Sequence, residues 1–375
     1  MNVKEVSELR RRFRSDKTNI NYVRGAFVNT KKEIVSEFNQ FLGTLPEDEG
    51  DAILSLAKKT LSGAVGRNLL DVSFSTKQVL EGEEHKLLMK LRDTGLEDEE
   101  TVKAFYKKVI EAIETDENYL ILLAADSYDV FKKTKDGMNE NDSSEVFRYF
   151  VCAVCPVRAA KSSLSYLVSE NRLKNVLGDA SVCPPAFGFL FPAFDYRSTN
   201  IHNALYYTKD ASDNHDAFVK AVFNAELLMP AEEQKGTFNS ILSGEIADDL
   251  TLGIVEAVQD ELKTRVEVHK ESREDDNLVI SKSDVHDILL RAGVSEEKIE
   301  KVEEKYDEEF GALAALPPAN LISRRGVEVK TPACVIRVDP EHADVLETRV
   351  IDGVKYLLIR ADETVEVNGV YINIQ

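Results

Sequence analysis

The sequence has little cysteine and no long apolar run. Its 375 residues include four cysteines, which is too few for a disulfide scaffold and typical of a protein in a reducing compartment. No segment approaches the roughly 18 to 20 consecutive apolar residues that a membrane-spanning helix requires. The start of the chain, MNVKEVSE, also lacks the apolar core of a secretory signal. We therefore expect a soluble cytoplasmic protein that does not act on membranes.

Recognisable catalytic and metal-binding motifs are lacking as well. The six histidines are scattered and form neither HxxxH nor HExxH, so a catalytic zinc site is not supported. Cys152 and Cys155 have the CxxC spacing of redox and zinc sites, but they fall in a predicted strand, where residues three apart point to opposite faces. We interpret them as buried apolar cysteines. The sequence thus predicts no metal and no cofactor, and it favours a protein that is not an enzyme.

Two short polar patterns each allow two interpretations. The glycines of residues 63–66 could clamp a nucleic-acid backbone as a GxxG loop does, or they could end a helix and turn the chain. Asp210, Asp213, His215 and Asp216 could bind a cation, or they could form the acid-rich first turn of a helix. In both cases the structural interpretation is favoured.

Charge is distributed unevenly along the chain. The formal net charge of −20 favours solubility and opposes non-specific binding to DNA, because that binding depends on neutralising phosphates with cations. Residues 1–24 nevertheless hold seven basic and three acidic residues. Four arginines cluster there on a predicted helix over residues 3–14, namely Arg10, Arg11, Arg12 and Arg14. Such a cluster can bind phosphates or an acidic protein, although it could equally pair with acids of its own chain.

The order of patterns predicts an α+β protein. We expect an N-terminal mixed α/β domain with an antiparallel sheet over residues 1–212. Residues 213–316 predict an acidic helical region that contains a helix pair over 281–310. After the linker signal Pro317-Pro318, residues 317–375 predict a small β-hairpin unit.

Particular strands and turns are also predicted. Aromatic and β-branched residues predict strands over 119–125, 128–133 and 146–157, with a hairpin loop over 135–142. In the C-terminal unit, Asp352-Gly353 and Asn368-Gly369 each separate two alternating runs, which is typical of tight hairpin turns.

The densest polar cluster lies at residues 195–203. Asp195, Arg197 and His202 supply an acid, a permanent cation and a titratable base within a few residues, as a catalytic loop would. They are the candidate catalytic residues of an alternative function, a hydrolase or a phosphoryl-processing enzyme. The structural alternative is a strand-to-helix turn, in which a hydroxyl residue caps the helix and Arg197 pairs with Asp195.

Several segments occur in a familiar order. They are residues 23–29, the hairpin region 119–157, residues 189–200 and residues 347–353. Together they closely resemble an uncharacterised family of Gram-positive bacterial proteins that is catalogued only as a domain of unknown function. The resemblance covers nearly the whole chain and implies no activity.

A more distant resemblance rests on the order of elements. An N-terminal α/β region, a strand pair, a helical stretch, a helix pair ending near Gly311 and a small β unit follow one another, with local matches at residues 292–296, 304–309 and 349–359. This order is similar to the nucleoid-associated proteins of the NdpA type, whose members are also acidic. The resemblance implies a role at the nucleoid and brings no catalytic residues with it.

We therefore expect a non-enzymatic, nucleoid-associated protein that contacts DNA or nucleoid proteins. The expected contacts are the cluster Arg10, Arg11, Arg12 and Arg14, and a second basic site of Arg324, Arg325 and Lys330. The third hypothesis is an interaction adaptor that uses its acidic helices, such as residues 296–309, and the exposed edge of the C-terminal β unit. The sequence leaves a homo-oligomer open.

Overall fold

The computed structural model of the chain describes residues 1–133, 139–158, 163–167, 171–176, 180–272, 274, 276–322, 327–338, 342, 345–361, 365–367 and 369–372. The mixture of helices with antiparallel strands confirms the predicted α+β class. The chain forms two compact units, one of Met1–Gln234 with Glu274–Asn277 and one of Lys235–Arg273 with Leu278–Gln375. The division into three regions at residues 212 and 316 stays a prediction.

The helices are α1 (Val3–Arg10), α2 (Glu47–Lys59), α3 (Thr76–Glu81), α4 (Glu83–Asp93), α5 (Glu99–Ala112), α6 (Asp216–Phe223), α7 (Ala231–Glu245), α8 (Leu252–Ser272), α9 (Lys282–Arg291), α10 (Glu296–Phe310) and α11 (Pro318–Leu321). The strands are β1 (Tyr22–Val28), β2 (Ile34–Phe41), β3 (Leu69–Ser73), β4 (Asn118–Lys133), β5 (Asn139–Arg158), β6 (Ser163–Leu167), β7 (Arg172–Val176), β8 (Ser181–Val182), β9 (Phe187–Phe191), β10 (Ala193–Asp195), β11 (Ser198–Asn200), β12 (Asn203–Thr208), β13 (Val327–Lys330), β14 (Val335–Val338), β15 (Leu346–Ile351), β16 (Val354–Ile359), β17 (Val365–Val367) and β18 (Val370–Ile372). Among the described residues, no helix is long and apolar enough to span a membrane.

The first unit is built on an antiparallel sheet in the order β2-β1-β4-β5-β9-β12-β3, with β8 beside β5. Helices α4, α5 and α6 pack on one face, and α1 and α2 pack on the other. Because both faces are covered, the central strands are apolar at consecutive positions instead of alternate ones. Strand β9 is buried at every position, which explains the aromatic run of the sequence there.

Cys152 and Cys155 lie on opposite faces of the sheet, as their spacing predicts. Both are fully buried, Cys152 in the core under α4–α6 and Cys155 in the core under α1 and α2. Burial raises the pKa of both thiols, to about 12 for Cys155. The two sulfurs therefore cannot converge on a metal or form a disulfide, and neither is a thiolate at neutral pH.

Strand β9 approaches β5 very closely at Gly188, which pairs with Ala153. A Cβ atom at position 188 would lie 2.2 Å from the carbonyl oxygen of Cys152 and 2.9 Å from the Cγ2 of Thr60. Glycine is therefore required here by the spacing between backbones.

Two predicted strands form a single one. The expected break between residues 125 and 128 is absent, because β4 is continuous from Asn118 to Lys133. The polar residue at the expected break, Asp126, is buried, and its carboxylate accepts hydrogen bonds, which makes it compatible with a strand interior. The predicted hairpin loop over 135–142 is too long at its end, since β5 begins at Asn139. Residues 134–138 lie outside the described residues.

The second unit contains the predicted acidic helices around a core of their own. Ser281 and Asp284 form a capping box at the start of α9, with each side chain bonded to the other's backbone N–H. Gly293 and Gly311 follow the ends of α9 and α10 with φ values of 87° and 96°, a conformation that favours glycine. The local signals of the sequence therefore located this helix pair correctly.

The C-terminal residues form the predicted hairpins. Antiparallel pairs join β15 to β16 and β17 to β18, as predicted, and a further pair joins β13 to β14. The turn at Asp352-Gly353 has positive φ at both residues, as a two-residue hairpin turn requires. Asn368 lies outside the described residues, and strand β13 was not predicted.

Candidate nucleic-acid interface

Helix α1 docks the basic start of the chain onto the sheet. Asn2 caps it, since its side chain accepts the N–H of Glu5 while the Glu5 carboxylate accepts the N–H of Asn2. Val6 and Leu9 are buried in the core that α1 shares with α2. Val6 and Leu9 thus bury one face of α1. The residues on its other face are open to solvent and can carry charge.

The prediction that α1 continues to Arg14 is wrong. The helix ends at Arg10, and the chain then turns. The turn brings two successive residues against the sheet, since Arg12 contacts Asp126 and Phe13 packs edge-on against Tyr149. The four arginines therefore do not share one helical surface.

Arg12 is held by its own chain. Its guanidinium lies 3.4 Å from the Asp126 carboxylate and 5.1 Å above the ring of Tyr128. The side chain is only 17% exposed. These contacts therefore fix the chain after α1 and engage the guanidinium within the protein.

Arg14 is exposed and makes a surface ion pair with Asp16 at 3.0 Å. Such exposed pairs contribute about 0 to 1 kcal/mol, so a phosphate could replace Asp16 as the partner. Arg14 therefore stays available to bind an external anion.

Arg10 and Arg11 meet a second pair of cations that the sequence hypothesis did not include. Together with Lys58 and Lys59 from the last turn of α2, they line a concavity of about 460 Å³, here called the basic groove. Its other lining residues are three serines, Ser7, Ser55 and Ser62. Among the described residues, no carboxylate lines this groove and none of its four cations forms an ion pair. Ser62 donates its hydroxyl to the carbonyl oxygen of Lys59 at 2.6 Å. The four cations and the hydroxyls of Ser7 and Ser55 are an arrangement that suits phosphate oxygens.

A wider groove of about 930 Å³ adjoins the basic groove, because Ser7 and Arg11 line both. Its lining is mixed in charge. Within it, Glu8 receives two hydrogen bonds from the guanidinium of Arg197, at 2.9 and 3.1 Å, and one from the Tyr128 hydroxyl at 2.6 Å. Burial and the neighbouring Glu8 raise the pKa of Tyr128, whose hydroxyl therefore stays a donor. This network anchors α1 and leaves the basic groove as the more cationic of the two.

The candidate catalytic residues have separate partners. Asp195 lies 2.9 Å from the α-amino group of Met1 and accepts the side-chain amides of Asn200 and Asn203. Arg197 pairs with Glu8, as described above, and lines the wider groove, whereas Asp195 and His202 are not part of its lining. His202 is exposed.

The turn predicted for this segment is of a different kind. Ser198 and Thr199 lie in β11 and cap no helix, and Arg197 pairs with Glu8. The segment is a two-residue hairpin between β10 and β11, with Tyr196 and Arg197 at positive φ. The twist of such a hairpin favours these turn conformations, so the polar cluster has a structural explanation.

The second basic site is only partly described. Arg324 and Arg325 lie outside the described residues. Lys330, in β13, pairs with Glu328 at 2.7 Å, and Arg337 pairs with the same carboxylate. These hydrogen bonds lower the pKa of Glu328 to about 2, so Lys330 has a persistently ionised partner.

Sequence reasoning missed Lys58 and Lys59 because their position follows from packing. Cations at the end of a helix are common for a local reason, their attraction to the helix dipole. The sequence held a weak signal for this packing. Helices α1 and α2 both have an apolar face, and each is next to strands of the same sheet along the chain. The two glycines after α2, Gly63 and Gly66, have positive φ, a backbone conformation that suits a turn.

Comparison with known proteins identifies a family and no activity. A family model described as "Domain of unknown function (DUF4317)" matches residues 1–370. No curated protein matches the chain, and no solved structure matches it. Since the match spans nearly the full length, the chain belongs to the DUF4317 family.

Proposed function

We propose that this protein binds the phosphate backbone of DNA through the basic groove, as a non-enzymatic nucleoid-associated protein. The observation that carries the proposal is the grouping of Arg10, Arg11, Lys58 and Lys59 without a described carboxylate. In a chain of net charge −20, carboxylates are abundant, and a surface without them suits an external anion.

The proposal concerns backbone contact, without reading of the base sequence. The groove is shallow, and its cations come from the end of α1 and the end of α2. Only the ends of these helices would meet the DNA, so neither helix lies along a major groove where it could contact the bases. Arg14 could extend the contact, whereas Arg12 is excluded because Asp126 and Tyr128 hold it.

The choice of DNA over other polyanions rests on the order of elements, which is similar to the NdpA type of nucleoid-associated proteins. A cytoplasmic location at the nucleoid and a Gram-positive origin belong to the same proposal. The competing outcome is that the partner is an acidic protein. Measuring binding to a DNA duplex and capturing proteins from a lysate distinguish these two partners.

The test is the salt dependence of DNA binding. Fluorescence anisotropy with a labelled duplex would measure the binding constant between low and physiological salt. Four phosphate contacts predict a slope of log K against log salt of about −3 to −4, and Lys58→Ala with Lys59→Ala should reduce its size by about 2.

The matched control is Lys301→Ala with Lys305→Ala. It changes the net charge equally, but at exposed positions of α10 that are paired with Glu297 and Glu308. The control should bind as the unmodified protein does. Equal weakening by both variants, or no binding by the unmodified protein at low salt, would overturn the proposal. If the tagged protein captures the same proteins from a lysate with and without nuclease treatment, this would indicate the adaptor function.

A further inference from the structure

A third concave feature lies under the helices on the other face of the sheet. A pocket of about 420 Å³ opens between the end of α5, the first residues of β4 and the start of α6. Here it is called the acidic pocket. Its volume falls within the range of about 300 to 1,000 Å³ that is usual for small-molecule sites.

The floor of the acidic pocket is aromatic. Tyr119, Phe187 and Phe218 line it and are buried. The ring centroids of Phe187 and Phe218 are 4.9 Å apart. The centroid of the His215 imidazole lies 4.2 Å from the centroid of the Phe187 ring. A ligand with an apolar or aromatic body would therefore find matching surface.

The rim of the pocket is negatively charged. Glu114, Asp213 and Asp216 are exposed at it, and a fourth carboxylate, Glu117, pairs with Arg158 at 3.1 Å. In the described part of the chain, no lysine or arginine lines the pocket. Burial lowers the pKa of His215, although neighbouring aspartates raise it in part, so the imidazole adds no charge at neutral pH. The rim thus attracts cations and repels anions.

A metal ion is not the cation that this geometry suits. Helix α6 begins at Asp216, while His215 precedes it and Asp213 accepts the backbone N–H of His215 at 2.7 Å. Within the described ranges, no three His, Cys, Asp or Glu side chains are grouped to hold a metal. Carboxylates around an aromatic floor suit an organic cation, which gains from both ion pairing and contact with ring faces.

Tyr119 provides an independent observation. The residue is 3% exposed, and its hydroxyl has no hydrogen-bond partner among the described residues. A buried hydroxyl without a partner is unfavourable. Burial raises the pKa of Tyr119 to about 12, so the group stays a donor for an acceptor atom of a ligand.

We infer that the acidic pocket binds a small organic cation with an aromatic body that carries a hydrogen-bond acceptor, such as an alkoxy-substituted aromatic ammonium compound. The cationic end lies at the carboxylates of Glu114, Asp213 and Asp216, and the body lies on Phe187 and Tyr119. This site is separate from the basic groove, so the inference does not depend on DNA binding.

The probe for the test is (4-methoxybenzyl)trimethylammonium, whose ether oxygen can accept from Tyr119, and 4-methoxybenzenesulfonate is the anion of similar size. Saturation-transfer NMR with the full chain should detect the cation, with a dissociation constant in the millimolar range expected for so small a ligand. The sulfonate should give no signal. Asp216→Asn with Glu114→Gln should weaken binding about fivefold or more, because two rim charges are lost.

The control variant is Asp48→Asn with Glu49→Gln. It removes two exposed carboxylates from the first turn of α2, so the change in net charge is the same. It should leave binding unchanged. Equal weakening by both variants would mean general attraction to an acidic protein and would overturn the inference, as would equal binding of the sulfonate.

Discussion

Asp126 offers the sharpest test of how the chain after α1 is fixed to the sheet. Its buried carboxylate accepts four donors, the Tyr149 hydroxyl at 2.8 Å, the backbone N–H groups of Ser127 and Asn19 at 2.9 and 3.0 Å, and the Arg12 guanidinium at 3.4 Å. Asp126→Ala would remove every acceptor at once. The Tyr149 hydroxyl is fully buried and could not turn to solvent.

The expected loss is about 3 to 5 kcal/mol of the free energy of unfolding, the range for breaking a buried ionic pair by removing one partner. The long Arg12 distance and its partial exposure favour the lower end. Asp126→Asn keeps one acceptor oxygen and should cost about 1 to 3 kcal/mol. Either loss is a large part of the 5 to 15 kcal/mol typical of a folded domain.

The assay must report on the first unit alone, since two compact units do not guarantee one unfolding transition. The chain has no tryptophan, but Cys152 and Cys155 are buried in this unit. Alkylation of these thiols as a function of urea, read by mass spectrometry, therefore measures its unfolding. Asp129→Ala, at an exposed position of the same strand, should stay within about 0.5 kcal/mol of the unmodified protein. If Asp126→Ala unfolds at the same urea concentration as that control, the network does not fix the chain after α1.

Two further predictions concern a close approach and a helix cap. Gly188→Ala should destabilise the first unit by about 1 to 3 kcal/mol or more, because its Cβ would meet the Cys152 carbonyl. Gly236→Ala, exposed in α7 with open space around it, should instead stabilise its helix by about 0.5 to 1 kcal/mol; thermal unfolding of both variants would show it, and equal effects would contradict the geometry. Burial raises the pKa of Asp284, but its bonds to Ser281 and Arg265 outweigh this and hold it below the ordinary value of 3.8. The ionised form therefore stabilises α9 above that pH, and the contribution is lost as pH falls through the folded pKa. Hydrogen exchange in α9 should show this loss on acidification in the unmodified protein and a flatter profile in Asp284→Asn; identical profiles would show that the cap does not titrate.

Features with a local cause could be predicted from the sequence. The hairpin at Asp352-Gly353 follows from the conformations that its two residues favour, and the start of α9 follows from Ser281 and Asp284, three positions apart. The opposite orientation of Cys152 and Cys155 follows from the strand period alone.

Features that depend on distant partners could not. Asp126 reads as a break between strands until Tyr149 and the chain after α1 supply its donors. Arg197 pairs with Glu8, 189 positions away, and no spacing rule connects them. The basic groove forms because α1 and α2 pack on the same face of the sheet. Its lysines are therefore brought beside its arginines only by the tertiary structure.

The position of β3 at the edge of the sheet has a consequence for the order of folding. Ser73 pairs with Asn203 across roughly 130 intervening residues, and the entropy of closing a loop grows with its length. During synthesis at about 5 to 20 residues per second, β3 therefore waits on the order of ten seconds for its partner to leave the ribosome. In that interval its apolar positions, Leu69 and Val72, have no β12 to pair beside. The nascent chain is then most open to mispairing and to capture by chaperones.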